Sequence, residues 1–306
     1  RTSAMSDQII HITNLSQAHE VMGIATPKHP LISIIHWEDL TPPKEKTLVR
    51  YMSDFYTVML KDADCGLQYG RNYYDFNEGL LTFMGPKQVF STTNENFSAT
   101  GWMLAFHPDL IRTSNLGKII SNYSFFSYDV HEALHLSDKE EDILNDCISK
   151  MEFELEQNID AHSKNLLVSN IELLLNYCNR FYERQFHTRA DSHSDVVTSV
   201  ERLIKDYYDE GKQLKEGTPS IQYLANKVNL SANYLSDLLK KETGRNTKEH
   251  INNFVVDRAK TILLNSEDNV SEIAYDLGFN YPHYFSRMFK KDTGMTPQKY
   301  REQNLN

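Results

Sequence analysis

The stretch VSEIAYDLGFNYPHYFSRMFKKDTG, residues 270–294, decides the fold of the C-terminal part of the chain. It repeats an earlier stretch, IQYLANKVNLSANYLSDLLKKETG, residues 221–244, at a spacing of 50 residues. Internal repeats indicate duplicated structural units. The correspondence is closest in two places: YLS at 234–236 with YFS at 284–286, and KKETG at 240–244 with KKDTG at 290–294.

Each unit is predicted to form a helix, a tight turn and a second helix. In the first unit a short amphipathic helix begins near Ile221 and ends near Val228, and residues 229–231 form the turn. Ser231 can cap the following helix, because its hydroxyl accepts from a free N–H in the first turn. The residues of that second helix predicted to face inward are Leu235, Leu238 and Leu239.

The second unit, about 271–293, has the same form with stronger turn signals. Gly278 supplies the positive φ that ends a helix, and Asn280 is a candidate N-cap for the next one. Pro282 falls in the first helical turn, where its missing N–H breaks no hydrogen bond. Glycines are predicted to stop both second helices, at Gly244 and Gly294. The inward-facing residues of the last helix are Phe285, Met288 and Phe289.

A long helix, about 248–264, is predicted to connect the units, with Ile251, Phe254 and Val255 among its apolar residues. A rigid spacer of this kind fixes the distance between two helices. The major groove of DNA admits one α-helix and recurs on one face about every 34 Å. The repeat therefore favours two linked groove-reading units over a helical bundle with an accidental repeat.

The motifs in this region resemble the signature of the AraC/XylS family. The resemblance rests on 270–279, 283–291 and GMTPQKYR at 294–301, and it covers roughly 195–303. It implies an all-α DNA-binding domain over about 196–304, with the second helix of each unit as the recognition helix. The residues it implies as DNA-facing are Ala232, Asn233, Ser236, Asp237, Lys240 and Lys241 in the first unit, and Tyr281, Pro282, His283, Ser286, Arg287, Lys290 and Lys291 in the second.

Two positions depart from the family pattern. A site that often carries a base-reading arginine holds Asp237 in the first unit, whereas the second unit keeps Arg287. An aspartate can accept from cytosine but repels phosphates. In the connecting helix, Val255 stands where the family commonly has an arginine. We therefore expect the second unit to be the stronger base reader.

The charge distribution is compatible with this expectation. The net charge is −10, but residues 195–306 carry 16 basic and 16 acidic side chains, so the whole excess lies before them. Between residues 281 and 301 there are five basic residues and one acid. Binding to phosphates needs a local basic surface and not a basic protein.

The N-terminal part predicts a β-rich domain. Runs rich in β-branched and aromatic residues between 31 and 107, broken by Gly, Pro, Asn and Asp, indicate a compact antiparallel sandwich or barrel. Helical periodicity follows over 138–186, opened by a capping box of Ser137 and Glu140. The family resemblance implies a cupin-like antiparallel β-barrel sensor with a helical dimerisation segment, here 5–186. The predicted fold class is therefore α+β with two domains.

One helix of this part allows two interpretations. The helix over 163–186 carries the stripe Leu167, Ile171, Leu174, Cys178 and Phe181, and further apolar residues broaden it. It is either a core helix or the interface of a homodimer, or both. The polar, aperiodic run HTRADSHSD, residues 187–195, predicts the interdomain linker.

An enzymatic alternative comes from HEALH, residues 131–135, which matches the zinc-protease motif HExxH. Because a new helix is predicted from Ser137, a helix carrying both His131 and His135 would be very short. We interpret the histidines as exposed residues of a connecting turn and expect no metal, no cofactor and no catalytic residue. The other rival, a cupin-type enzyme fused to a helical domain, has only His36 and His107 as candidate ligands in the barrel region.

The predicted function is sequence-specific regulation of transcription by a cytoplasmic protein, controlled by a small-molecule effector of unknown identity. The partners implied are double-stranded DNA, a second copy of the chain, RNA polymerase and that effector, with no membrane. Three widely spaced cysteines indicate buried thiols. The aromatics Tyr56, Tyr69, Tyr73 and Trp102 are either core residues or the lining of an effector pocket.

Overall fold

The computed structural model describes residues 9–40, 48–61, 67–69, 72–74, 79–93, 100–129, 132–158, 160, 162–188 and 190–304. The chain divides into two compact units, Arg1–His187 and Thr188–Asn306. The first unit is rich in strands and the second is helical. None of the described helices is long and apolar enough to cross a membrane.

The first unit contains ten described strands, which pair into separate sheets. The strands are β1 (Ile9–Ile12), β2 (Ile32–His36), β3 (Leu48–Ser53), β4 (Tyr56–Lys61), β5 (Leu67–Tyr69), β6 (Asn72–Tyr74), β7 (Leu80–Met84), β8 (Val89–Thr93), β9 (Gly101–Phe106) and β10 (Leu134–His135).

The main sheet is antiparallel and has the strand order β10-β7-β4-β9-β2. A second sheet, β1-β3-β8, contains a parallel pair between β1 and β3, and β5 pairs with β6. The predicted sheet-rich region is confirmed. Across the described residues the sheets do not close into a barrel, so the cupin-like barrel is not confirmed. Local alternation predicts strands and their faces, but it does not specify how the edges of two sheets meet.

Both faces of the main sheet are buried. One face presents a cluster of Ile35, Met59, Met84 and Met103 beside Trp37. On the other face the ring of Phe83 lies against the rings of Phe125 and Tyr182. The near-continuous apolar strands β4, β7 and β9 follow from this double burial.

Two long helices contact the main sheet, one through Asn145 to Trp102 and the other through Tyr182 to Phe83. The helices of this unit are α1 (Leu15–Met22), α2 (Pro108–Ile111), α3 (Asn115–Ile119), α4 (Asp138–Glu156) and α5 (Ser163–Thr188). The capping box of Ser137 and Glu140 at the start of α4 is confirmed. The predicted stripe of α5 is fully buried, and the thiols of Cys147 and Cys178 are buried and free. Cys65 lies outside the described residues.

The second unit consists of eight described helices around a second core. They are α6 (Ala190–Asp209), α7 (Gln213–Glu216), α8 (Ile221–Lys227), α9 (Ala232–Thr243), α10 (Thr247–Asn265), α11 (Val270–Asp276), α12 (Pro282–Thr293) and α13 (Pro297–Asn304). Leu224, Leu235, Ala259, Phe285 and Phe289 are completely buried.

The segment 187–195 is not an irregular linker as the sequence suggests. Helix α5 extends to Thr188 and helix α6 begins at Ala190, so residues 190–195 are helical. A short polar run carries no apolar periodicity either in a loop or in a helical turn, so the sequence pattern does not distinguish the two. The division between the units nevertheless falls inside this segment, between His187 and Thr188.

Candidate nucleic-acid interface

Helices α8 and α9 form the first helix–turn–helix. The turn between them contains Asn229 at φ 55°, a left-handed conformation that asparagine tolerates better than most residues. Ser231 caps α9, its Oγ accepting from the N–H of Tyr234 at 3.2 Å, and Gly244 ends the helix at φ 77°. The predicted cap, stop and buried leucines of this unit are confirmed.

Helices α11 and α12 form the second helix–turn–helix, and Gly278 sets the angle between them. Gly278 has φ 88°, and a Cβ on it would lie 2.9 Å from the carbonyl carbon of Gly217. The end of α11 is held by two side chains: the Tyr208 hydroxyl donates to the carbonyl of Leu277 at 3.3 Å, and Gln213 Nε2 donates to that of Asp276 at 3.3 Å. Burial raises the pKa of Tyr208, which keeps the phenol protonated as a donor.

One cap of the second unit differs from the expectation. Tyr281, and not Asn280, is the N-cap residue of α12, and it makes no side-chain capping bond. Pro282 is the first helical residue, as predicted. Because proline fixes its own φ near the helical value and keeps the preceding residue extended, the cap position falls on the residue directly before it.

The outer face of α9 carries the residues that the family resemblance implies for the first helix–turn–helix. Asn233, Lys240 and Lys241 are exposed, and Ala232, Ser236 and Asp237 are half-buried. Lys240 and Lys241 make no ion pair with the described residues, so their charges are available to a polyanion. Asp237 already has an interaction within the protein.

The outer face of α12 is more basic and more aromatic. His283, Arg287, Lys290 and Lys291 are exposed, Pro282 and Ser286 are half-buried, and Tyr281 is 60% exposed. Within the part of the chain that is described, Arg287, Lys290 and Lys291 form no ion pair. Three cations on one helical face therefore point to solvent without a protein counter-charge.

An additional aromatic residue belongs to this face and was missed by the sequence analysis. Tyr284 is exposed, and its ring centroid lies 4.2 Å from that of His283 and 6.0 Å from that of Tyr281. Tyr284 is equivalent in the repeat to Tyr234, which is buried. Lys291 lies seven residues after Tyr284 and therefore on the same side of the helix, and this was the available signal for an exposed position.

Arg301, which the sequence places in the same basic stretch, has a structural role. Its Nε donates to the carbonyl of Leu263 at 2.8 Å, and its Nη2 donates to that of Ser266 at 3.3 Å. These carbonyls lie at the C-terminal end of α10, where no intrahelical donors remain. The guanidinium therefore ties α13 to the end of α10.

The connecting helix α10 explains one departure from the family pattern. Val255 is buried together with Ile251, Val256, Ala259 and Leu263. An arginine in place of Val255 would have to leave this apolar face. The helix has 19 residues and is about 28 Å long at 1.5 Å per residue.

The HEALH segment does not form the helix that a zinc motif requires. Leu134 and His135 form β10, paired with Leu81 and Leu80. Glu132 is buried and its Oε2 accepts from the N–H of Asp129 at 2.7 Å. His131 lies outside the described residues. His135 is a half-buried strand residue and not an exposed turn residue, because the segment completes the main sheet.

Of the aromatic candidates of the N-terminal unit, Trp102 is a core residue and Tyr56 is half-buried. Trp102 is buried and its Nε1 donates to Asn145 Oδ1 at 2.8 Å. The ring of Tyr56 stacks on that of Phe106 at 5.3 Å. The side chains of Tyr69 and Tyr73 lie outside the described part of the structure.

Comparison with known proteins matches the second unit. Residues 224–303 match the family model described as a helix-turn-helix domain. The chain is 32% identical over 130 residues to the uncharacterized HTH-type transcriptional regulator YijO of Escherichia coli, covering 42% of this chain and 43% of YijO. It is 33% identical over 126 residues to the HTH-type transcriptional activator RhaR of Yersinia pseudotuberculosis, covering 40% of each.

A solved structure also matches part of the chain. The C-terminal domain of the two-component response regulator yesN from Fusobacterium nucleatum is 32% identical, with a TM-score of 0.29, and the match covers 33% of this chain and 95% of that domain. The chain spans between 34% and 43% of the length of the first three curated relatives that it matches.

Both relatives, YijO and RhaR, are named as regulators of transcription. The match identifies residues 224–303 of the second unit as a helix-turn-helix domain, which agrees with the family resemblance drawn from the sequence.

Proposed function

We propose that this chain is a transcription regulator that binds double-stranded DNA through α9 and α12. The observation that supports this most directly is the face of α12, where Arg287, Lys290 and Lys291 are exposed without counter-charges in the described structure. Three exposed cations on one helical face create a local positive potential, which attracts a polyanion such as the DNA backbone. When such a face neutralises DNA phosphates, the counterions condensed on the DNA are released, and this release favours binding.

The roles of the two helices differ. Arg287 is the base reader of α12, since arginine can donate two hydrogen bonds to guanine O6 and N7. Lys290 and Lys291 contact phosphates, and so do Lys240 and Lys241 on α9. Asn233 and Ser236 are the polar groups of α9 within reach of base edges, with Asp237 beside them. The first helix–turn–helix accordingly positions the protein on DNA, and the second helix–turn–helix carries more of the sequence discrimination.

The experiment is selection of bound duplexes from a random-sequence library by the purified full chain, followed by titration of the enriched duplex and a scrambled one. We expect one enriched motif, with tighter binding to it than to the scrambled duplex at matched salt. Loss of enrichment together with equal, salt-insensitive binding of both duplexes would contradict the proposal.

The first unit is proposed to be the sensor and dimerisation domain. Helix α5 buries its stripe inside its own unit, yet Leu166 and Leu173, seven residues apart, are exposed apolar residues on its outer side. We propose that this outer side contacts the same helix of a second copy. A small-molecule effector bound in the first unit and contact with RNA polymerase complete the proposal, as in a cytoplasmic regulator of this family.

A further inference from the structure

The first unit contains a cavity of about 770 Å³ between strand β2, the loop 23–28 and helix α4. Its volume is within the range of pockets that bind small organic molecules. It does not lie among the methionines on the inner face of the main sheet, which are packed into a core cluster with Trp37. The cavity instead lies along β2, which is at the edge of the main sheet among the strands that the structure describes.

The floor of the cavity is a buried polar network. His19 Nδ1 donates to the carbonyl of Ala25, because a carbonyl can only accept, and His19 Nε2 lies 2.8 Å from Ser33 Oγ. Both side chains are more than nine-tenths buried, at 7% and 6% exposure. The network joins α1, the loop and β2, so the floor is held in one shape before any ligand arrives.

The walls supply apolar contacts and an acidic rim. Ile24, Ile34 and Phe153 line the cavity, and Phe153 is 65% exposed, more than any other large apolar residue that the structure describes. An exposed aromatic ring beside a cavity offers a face to a ligand, and a cation gains from such a face.

The net charge of the carboxylates and the lysine that line the cavity is negative. The carboxylates are those of Asp39, Glu152 and Glu156, and Lys28 is the one lysine or arginine of the lining. Lys28 pairs with Glu156 at 3.4 Å, and His36 Nε2 lies 2.5 Å from Glu152 Oε1. Asp39 has no hydrogen bond or ion pair with any described residue. A positively charged ligand would therefore be favoured over an anion.

We propose that this cavity binds a small organic ammonium ion, with the charged nitrogen near Asp39 and Glu152 and the apolar body against Ile34 and Phe153. The backbone groups on the free edge of β2 offer further hydrogen bonds to a hydroxyl or second amine of the ligand. This inference gives the effector of the proposed function a site and a chemical class, and its regulatory meaning depends on that proposal.

The test is isothermal titration of the full chain with two charged probes and their uncharged analogues. Choline is compared with 3,3-dimethylbutan-1-ol, which has the same shape without the charge, and putrescine is compared with butane-1,4-diol. We expect at least one charged probe to bind about tenfold more tightly than its analogue. Equal binding within both pairs, or no heat from either charged probe at millimolar concentration, would overturn the proposal.

Variants of the rim give the second readout. Asp39→Asn and Glu152→Gln remove a charge with little change of shape, and each should weaken binding of the charged probe by about threefold to tenfold. Glu154→Gln lies on the same helix outside the cavity lining and serves as the matched control, with unchanged binding. If all three variants bind the charged probe with the affinity of the unaltered chain, the charged nitrogen does not lie at this rim.

A DNA mobility shift on the same samples separates this inference from the proposed function. A protein that binds DNA but no charged probe contradicts only the ligand site. A protein that binds a charged probe but no DNA contradicts the regulator and leaves the cavity assignment standing.

Discussion

Tyr234 and Tyr284 occupy equivalent positions of the repeat, but Tyr234 is 4% exposed and Tyr284 is 55% exposed. Helix α6 packs against α8 and α9, whereas α12 contacts α10, α11 and α13. Helices α9 and α12 thus have different neighbours, so equivalent positions of the repeat lie in different surroundings. A tyrosine at this position of the repeat is therefore a core residue in the first helix–turn–helix and an exposed residue in the second.

This difference predicts opposite effects of two alanine variants. Tyr234→Ala should lower the free energy of unfolding by about 3 kcal/mol, because it leaves a cavity in the core. Tyr284→Ala should change stability by less than about 0.5 kcal/mol and weaken DNA binding about fivefold through lost apolar contact with the groove. Chemical denaturation and a DNA titration measure the two quantities. Tyr275→Ala, an exposed tyrosine on α11, is the control for DNA binding. An unchanged affinity for Tyr284→Ala would remove this residue from the interface.

Gly278 should be the least replaceable glycine of the second unit. In Gly278→Ala the new Cβ meets backbone atoms of Gly217 at 2.9 Å and Gln213 at 3.0 Å, in addition to the strain of φ 88°. We expect a loss of about 3 kcal/mol. Gly294→Ala is the matched control, since its φ is 81° but no heavy atom lies within 4 Å of the new Cβ, and about 1 kcal/mol should be lost. Urea denaturation followed by far-UV circular dichroism compares them, and equal losses would show that strain alone governs both sites.

The dimer proposal predicts a contrast between two adjacent leucines of α5. Leu174 is completely buried, so Leu174→Asp should unfold the first unit. Leu173 is 41% exposed, so Leu173→Asp should keep the fold and convert a dimer to a monomer. Sedimentation velocity over a range of concentrations decides the question. A monomer at every concentration for the unaltered chain, or a Leu173→Asp dimer as stable as the original, would contradict the interface.

The repeat made the second unit predictable in detail, and the first unit was predictable only in outline. Caps, stops and buried stripes are local features, so Ser231, Gly244 and Phe285 could be assigned from a few neighbouring residues. The exposure of Tyr284 depends on which helices pack against α12. The position of the cavity depends on the place of β2 at the edge of the main sheet. The acidic rim unites Asp39 with Glu152, which are more than 100 residues apart in the sequence. No periodic pattern brings such residues together.

The lysines of α12 should act differently from its arginine. Lys290→Ala should weaken binding to the selected duplex and to the scrambled duplex by the same factor, because a phosphate contact carries no sequence information. The slope of log affinity against log salt concentration should fall by about one. Titrations at several salt concentrations measure the slope. A loss confined to the selected duplex would identify Lys290 as a base reader.

The final prediction concerns Arg287 and Asp237, which occupy the equivalent place in the two units. Arg287→Ala should weaken binding to the selected duplex by about tenfold to a hundredfold and relax the preference at one base pair, since a bidentate guanine contact contributes roughly 1–3 kcal/mol of discrimination. Asp237→Ala should cost little specific affinity and tighten binding to the scrambled duplex, because it removes a negative charge near the phosphates.

Because Asp237 has an interaction within the protein, circular dichroism must show that its variant keeps the fold. Arg287→Lys tests the chemistry further: it keeps the charge but lacks the planar fork, so it should restore binding to the scrambled duplex and not the lost base preference. If Asp237→Ala costs more specific affinity than Arg287→Ala, the first helix–turn–helix is the main reader of sequence, and the division of roles between α9 and α12 proposed above is reversed.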